Sequence, residues 1–487
     1  MGLITVYSIY IAVALLLAIG VITAIVISVA VSRRWSRLLL PMIITLLLAG
    51  GAAGVLVSGR DLSHAGLSIV ISIFESRGGA VWVNRSFIGL IVALCLGALV
   101  GKLISREHFP IQGRSLFFGF LLYYITLSFL PSVFGTEPAF LHNELYPLLV
   151  MIGVFLSERP TPEQFHTFSK WLLFSFVAAS LLAAVGLPDL AIQPDYHGWI
   201  PGFDYRLWGL ASHANLLATP ALTLLLLEYL QPTRNRLLQI LLILCALSTL
   251  VLSQSKTTWV AALFAMSYLV AYRKVPELGR ALRGNGPIPL SSVFYLGSIL
   301  LALLALATAL VVVDTDRLID GIMASEIGEG LETASGRDLI WATALQEWGN
   351  NWLFGYGPLV WGDLYRFQHG MFSYAFHAHN QVLQTVSMGG GFALFGLLVY
   401  VWLLLRYAIR AAAATKGVSV AMLLIVLLRS VSEVPLPQHA VFSTDVLLHI
   451  LLFMILVLNA RQANQPQTSM DMKAPHQALH VGSSPSR

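Results

Sequence analysis

The chain has 487 residues, 57% hydrophobic and 11% charged, with a formal net charge of +5 and a mean hydropathy of +0.77. That composition excludes a water-soluble domain of this length and describes a polytopic membrane protein. The two cysteines, Cys95 and Cys245, both fall in apolar runs, which excludes a disulfide or cysteine-based metal framework.

A span needs about 20 apolar residues to cross roughly 30 Å of hydrocarbon. Such runs lie at residues 5–31, 38–58, 86–104, 115–134, 140–157, 168–187, 213–230, 237–253, 257–272, 290–313, 379–405, 417–434 and 440–459. They predict an all-α, polytopic transmembrane helical bundle of about 12–13 spans. The first run is too long for the apolar region of a signal peptide and lacks a basic start, so it is expected to stay in the mature protein. The domain reading is residues 1–313, the first ten spans; 314–378, one long outer loop containing short helices; 379–460, the last three spans; and 461–487, a polar tail without apolar periodicity, read as disordered and cytoplasmic.

Orientation follows from Lys and Arg, which short cytoplasmic loops retain. Alternate loops and the tail carry 20 of the 29, while 18 of the 24 acidic residues fall on the other side. The N-terminus is therefore expected outside, the C-terminus inside, and 59–85, 188–212 and 314–378 outside. An outward-facing cation is then the exception that needs a reason.

In chain order, the first outer segment holds Arg60, Arg77 and Arg85 around a weakly apolar stretch, 67–74, too short to span and read as interfacial. Solvated loop charge is the default for these arginines. The second outer segment runs through Trp199, Arg206, Trp208, His213 and Asn215 into the next span. An aromatic belt with a snorkelling Arg206 and a polar cap explains it; so does a phosphate site, because helix entrances present free N–H groups and a positive dipole end. Ser253-Gln254-Ser255-Lys256-Thr257 is a polar break between two tightly connected spans. Lys256 either snorkels or faces the protein interior.

The long outer loop is expected to form a helix from Ser335, with Asp338 three residues on completing a capping pattern. Trp341, Ala344, Leu345 and Trp348 would make its apolar face. Arg337 would sit in the first turn, where the helix dipole disfavours a cation, and an anionic partner explains it better. The loop ends in His377-Ala378-His379-Asn380 at the mouth of an apolar span. The two histidines read either as hydrogen-bonded interfacial residues or as an acid–base group.

Taken together, Arg206 in its Arg-Leu-Trp-Gly-Leu-Ala-Ser-His-Ala-Asn run, the 253–257 turn, Ser335-Gly336-Arg337 followed by a Trp, Gly355-Tyr356-Gly357 and the 377–380 motif resemble the O-antigen ligase and O-antigen (exopolysaccharide) polymerase superfamily. The resemblance covers about residues 190–400. The family pattern follows His-Asn with nine residues, a Gly, two more and then Gly, Thr or Tyr; His379, Asn380 and Gly390 match, and Ala393 departs from it.

The resemblance implies a metal-independent glycosyltransferase with no cofactor, moving a glycan from an undecaprenyl diphosphate carrier to a sugar hydroxyl on the periplasmic face of a bacterial inner membrane. In that scheme His379 is the catalytic base; Arg206, Lys256, Arg337, His377 and Asn380 bind substrate; and no residue holds metal. The preferred reading is a polymerase of exopolysaccharide or O-antigen repeats, motivated by Arg429 and Glu433 four residues apart near an outer end and by the 253–257 turn. The alternatives are an O-antigen ligase, whose acceptor is lipid A core, and a lipid-linked glycan flippase, whose charges should line a route through the bilayer. The implied partners are the lipid-linked donor, the glycan or lipid A core acceptor, the bilayer and polysaccharide-assembly proteins, with no nucleic acid.

A cysteine introduced within 314–378 is expected to react with a membrane-impermeant thiol reagent in intact cells. Labelling that appears only after lysis would reverse the orientation.

Overall fold

The computed structural model describes residues 23–63, 78–106, 108–196, 200, 202–274, 329–371, 375–436 and 441–460. Most of the expected span 5–31, all of 290–313, the interfacial stretch 67–74, Arg77, residues 314–328 and the 461–487 tail lie outside them.

The described chain is helical almost throughout. In order, its helices are α1 (Ser36–Val57), α2 (Gly78–Ile104), α3 (Arg114–Phe134), α4 (Leu145–Leu156), α5 (Pro162–Gly186), α6 (Ala214–Leu230), α7 (Arg236–Leu252), α8 (Lys256–Lys274), α9 (Glu329–Asn350), α10 (Asp363–Gln368), α11 (Gln381–Ala411), α12 (Val418–Arg429) and α13 (Thr444–Ala460). Among the described residues α1, α2, α3, α5 and α11 are long and apolar enough to cross a membrane, and α4, α6, α7, α12 and α13 are shorter apolar helices. The chain is thus an all-α polytopic membrane protein.

Two departures from expectation concern local structure. The helix expected from Ser335 is already formed at Glu329, so Ser335 does not cap it and Arg337 is not in its first turn. A small antiparallel hairpin also stands where only a loop was read: β1 (Ile192–Pro194) pairs with β2 (Tyr205–Leu207), Gln193 opposite Arg206.

Every residue of α13 is buried, as befits a helix that is apolar all round. Its polar residues are partnered: Asp445 with the Arg429 guanidinium, His449 with the Tyr400 hydroxyl, and Asn459 with His166 (3.3 Å) and the Ile455 carbonyl (2.8 Å). Arg429 therefore spends its side chain on Asp445, and its bond to Glu433 is a backbone one. At the end of the bundle expected to be cytoplasmic, Lys170 is buried against Glu228 (3.0 Å), the Gln231 carbonyl (2.6 Å) and Thr233 (3.0 Å).

The element that places the site is α11. It is broken at Gly390, whose φ of 63° and ψ of −158° belong to no helix. The loop before α10 repairs the break: Tyr356 and Gly357 N–H donate to the carbonyls of Ser387 (2.8 Å) and Met388 (3.0 Å), while Gly391 and Phe392 N–H donate to Trp352 (2.7 Å) and Leu353 (3.2 Å). Only glycine fits here. A Cβ on Gly390 would fall on the Leu353 carbonyl, and one on Gly355, itself at φ +67°, would lie 2.7 Å from the Met388 carbonyl carbon.

The break turns residues 381–389 off the line of the rest of α11. Gln381 donates to the Tyr123 hydroxyl at 3.0 Å, yet Gly396 backs onto the Tyr123 Cα. In a straight helix those two positions stand about 22 Å apart, beyond the reach of a Tyr and a Gln side chain laid end to end. The arm's N-terminus accordingly points into the bundle, with Gln381, Gln384, Thr385 and Ser387 all buried. On α3, the facing Ile125–Phe129 segment is a single π turn, the helix irregularity common at functional sites.

Gly390→Ala is expected to destabilise the protein by roughly 2 kcal/mol or more, read as a lower melting temperature in detergent. An unchanged melting temperature would contradict the close backbone exchange.

Candidate active site

The His377-Ala378-His379-Asn380 turn is fixed residue by residue at the tip of the arm. Asn380 caps it, its Oδ1 accepting from the N–H groups of Val382 (2.9 Å) and Leu383 (3.0 Å). Ala378 is held from both sides: its N–H donates to Gln384 Oε1 (2.8 Å), and its carbonyl accepts from Trp341 Nε1 on α9 (2.9 Å). His379 adopts φ +46°, an uncommon backbone state for a side chain of this size. Its N–H donates to His377 Nδ1 (3.1 Å), and the two rings lie 4.1 Å apart. In the neutral His377 ring that acceptor role assigns the proton to Nε2.

A second loop, 430–436, is clamped onto the same tip. Gln381 N–H donates to the Ser430 carbonyl (2.9 Å), Asn380 Nδ2 to the Val431 carbonyl (3.1 Å), and Leu436 N–H to Gln381 Oε1 (2.9 Å). Ser432 is also hydrogen-bonded to Thr257 (2.7 Å). These ties carry Glu433 to the imidazole, its Oε2 standing 3.9 Å from His379 Nδ1. That nitrogen is buried without a hydrogen-bond partner.

From Glu433 a chain of short bonds leads to Arg206. Asn215 donates to Glu433 Oε1 (2.7 Å), and Arg206 donates to Asn215 Oδ1 (2.6 Å) and to the Ser253 carbonyl (2.8 Å). The guanidinium also lies 4.8 Å from the Tyr196 ring centroid. Gln254, at φ +46°, locks the 253–257 turn to the hairpin by donating to the carbonyls of Phe203 (3.0 Å) and Tyr205 (2.7 Å). Lys256 opens α8 directly after this turn. Arg337 on α9 lies near enough for its charge to bear on both His379 and Lys256.

The six residues singled out from the sequence thus converge from five segments: β2, the start of α8, α9, the 377–379 turn and the cap of α11. Asn380 is engaged as a cap and a loop tie. The sequence reading missed Glu433 as a neighbour of His379, Asn215 as the link to Arg206, and Gln381 as the post that holds both loops. Their signal was present only as polar residues at span ends. Arg60, one of the loop arginines, is a rivet: buried, it donates to the carbonyls of Leu190 (2.9 and 2.6 Å), Gly209 (2.7 Å) and Ala211 (2.7 Å).

Electrostatically the site prefers anions. Burial, and then the charge of Arg337, lowers the His379 pKa to about 4, so the free site holds a neutral imidazole. His213, its ring tilted against Trp208 with centroids 4.6 Å apart, is held well below its ordinary value by burial and then by Arg206, His379, His377 and Arg60. Donor atoms of His377, His379 and Glu433 lie within 4.8 Å of one another, a set that by itself would suit a divalent cation. Arg206, Lys256 and Arg337 beside it raise the work of bringing a cation in and lower that of an anion.

A broken membrane helix thus carries its capped N-terminus and two histidines to the end of the bundle where Arg206, Lys256 and Arg337 gather. Residues 241–401, about a third of the chain, match the family described as O-antigen ligase, which shows the resemblance read from the motifs. The matched stretch contains Lys256, Arg337, His377, His379 and Asn380; Arg206 and Glu433 lie outside it. Among curated proteins none matches the chain.

The lowered His379 pKa also has a consequence for stability. An unfolded chain takes up a proton near pH 6.5 that the half-buried ring refuses until about pH 4, so this group's contribution is present above the first value and is lost as pH falls toward the second. His379→Gln is expected to show a shallower loss of thermal stability across that window than the wild type. Identical pH dependences would refute a neutral His379 in the folded protein.

Proposed function

We propose that this protein is a glycosyltransferase of the bacterial inner membrane that polymerises undecaprenyl diphosphate-linked repeat units of an exopolysaccharide or O-antigen on the periplasmic face. The family match supports a membrane enzyme of the ligase or polymerase type acting on lipid-linked glycans. The observation that carries the mechanism is a half-buried, neutral His379 beside a helix N-terminus, with the charge of Arg337 bearing on it and Arg206 linked to it through Asn215 and Glu433.

As the bond between the anomeric carbon and the diphosphate breaks, negative charge gathers on the leaving group. Fixed cations in a water-poor site stabilise that charge more strongly there than in the ground state. The arginines offer planar forks and Lys256 a point charge. The acceptor hydroxyl forms the new glycosidic bond and gives its proton to His379, which is unprotonated at neutral pH. The anionic donor, once bound, favours the imidazolium that results. Metal independence and the roles of His377 and Asn380 as substrate-binding groups belong to the same reading.

The polymerase reading keeps its motivation in the 253–257 turn and the Arg429 to Glu433 segment. Clustering of the cations at one end of the bundle favours transfer at a surface over flipping.

Purified protein is expected to consume undecaprenyl diphosphate-linked glycan without added metal or nucleotide sugar and to yield longer lipid-linked chains. His379→Ala should lower turnover by roughly 100-fold or more while the protein still inserts and accumulates. Arg337→Lys, which keeps the charge and loses the fork, should weaken transfer by roughly tenfold. Product formed only when lipid A core is supplied would identify a ligase instead. Activity abolished by a chelator and restored by a divalent ion would sink the metal-independent mechanism.

A further inference from the structure

Resting on the reading of His379 as the base, we infer that Glu433 is the positioning residue of that base, orienting its imidazole and tying it to the Arg206 end of the site. The geometry points to this from both oxygens of one carboxylate. Oε2 faces His379 Nδ1 at 3.9 Å, and Oε1 is already committed to Asn215 at 2.7 Å, which in turn holds Arg206 at 2.6 Å.

His379 Nδ1 is buried and lacks a hydrogen-bond partner in the free protein, and a buried polar atom in that state is a debt the structure must discharge elsewhere. Glu433 is the carboxylate beside it. A shift of about 1 Å brings the pair to hydrogen-bond distance, and catalytic hydrogen bonds are commonly long before substrate binds. With Nδ1–H donating to Glu433, the other ring nitrogen, Nε2, is left unprotonated to take the acceptor's proton. Once it has done so, the carboxylate stabilises the imidazolium, the division of labour seen in Ser-His-Asp triads.

The surroundings make this carboxylate important. The charged and titratable groups bearing on His379 are Arg337 from α9, His377 from its own turn, His213 from the mouth of α6 and Glu433 from the loop after α12. Arg206 and Lys256 lie one step further out. Arg337 opposes a positive ring, whereas Glu433 is the anion facing it. Below, Asp445 is paired with Arg429, so Asp445 is already committed to another partner.

Glu433→Gln tests the role, because a glutamine oxygen can still accept from Asn215 while the charge is lost. Turnover should fall by roughly 100-fold with KM for the lipid-linked donor changed less than about threefold. The acid limb of the pH–rate profile should move to lower pH, since an imidazolium without its anion gives up its proton more readily. Glu433→Asp should recover part of the turnover and move the limb back. In a His379→Ala background, Glu433→Gln should add no further loss to the residual rate.

Wild-type turnover and an unmoved acid limb in Glu433→Gln would overturn the inference, as would a change confined to KM or a multiplicative loss in the double variant. If neither Glu433 variant folds, the residue is structural and the inference falls. Full activity in His379→Ala alone would instead sink the reading of the base on which the inference rests.

Discussion

A helix that crosses hydrocarbon cannot leave backbone groups unpaired, because each costs several kcal/mol there. The break at Gly390 would strand two carbonyls and two N–H groups of α11, and the returning loop at 352–357 meets all four. The site depends on this exchange. It frees the first turns of α11 to leave the helix line and carry their N-terminus into the bundle. Without the arm, Gln381 could not reach Tyr123 on one side and the 430–436 loop on the other, and Glu433 would have no fixed relation to His379. The same break brings the positive end of a helix dipole to the end of the bundle where Arg206, Lys256 and Arg337 gather, a geometry shared with discontinuous membrane helices.

The site is assembled from segments far apart in sequence, and its precision comes from how few free torsions remain in it. Ala378 is bonded through both N–H and carbonyl, Asn380 through both ends of its amide, and Gln381 through backbone and side chain. Arg206 is buried, which lowers its pKa; nearby Tyr196 and Glu433 offset part of that effect. Its position is thus bound to that of the carboxylate facing His379. Arg206, Asn215 and Glu433 form one hydrogen-bonded unit beside the histidine turn, which limits the reorganisation that a change of charge there would require.

The all-α membrane architecture was legible because spans are read from composition and length alone, and α1, α3, α6 and α7 begin and end close to the apolar runs that announce them. The His377 to Asn380 motif was legible because ionisable groups at a span entrance are conspicuous against an apolar background. The hairpin was not: three-residue strands carry no periodicity, and β2 is held by Arg206 and Gln254 rather than by an alternating pattern. Helix α9 was expected to start at Ser335 because a capping pattern is local, whereas the helix already runs at Glu329. The pairing of Arg429 with Asp445, and not with Glu433, is a tertiary choice between two carboxylates that spacing along one helix cannot make. Arg60 likewise looked like any loop charge, and only the fold brings four carbonyl bonds to it.

On α9, Arg337 and Trp341 are one helical turn apart and therefore share a face. One supplies charge near His379, and the other grips the Ala378 carbonyl between the two histidines. Arg337 and the histidine turn are in this sense geared to a single lever. A displacement of α9 outward would withdraw the charge and slacken the histidine turn in the same stroke, so neither can be repositioned without the other.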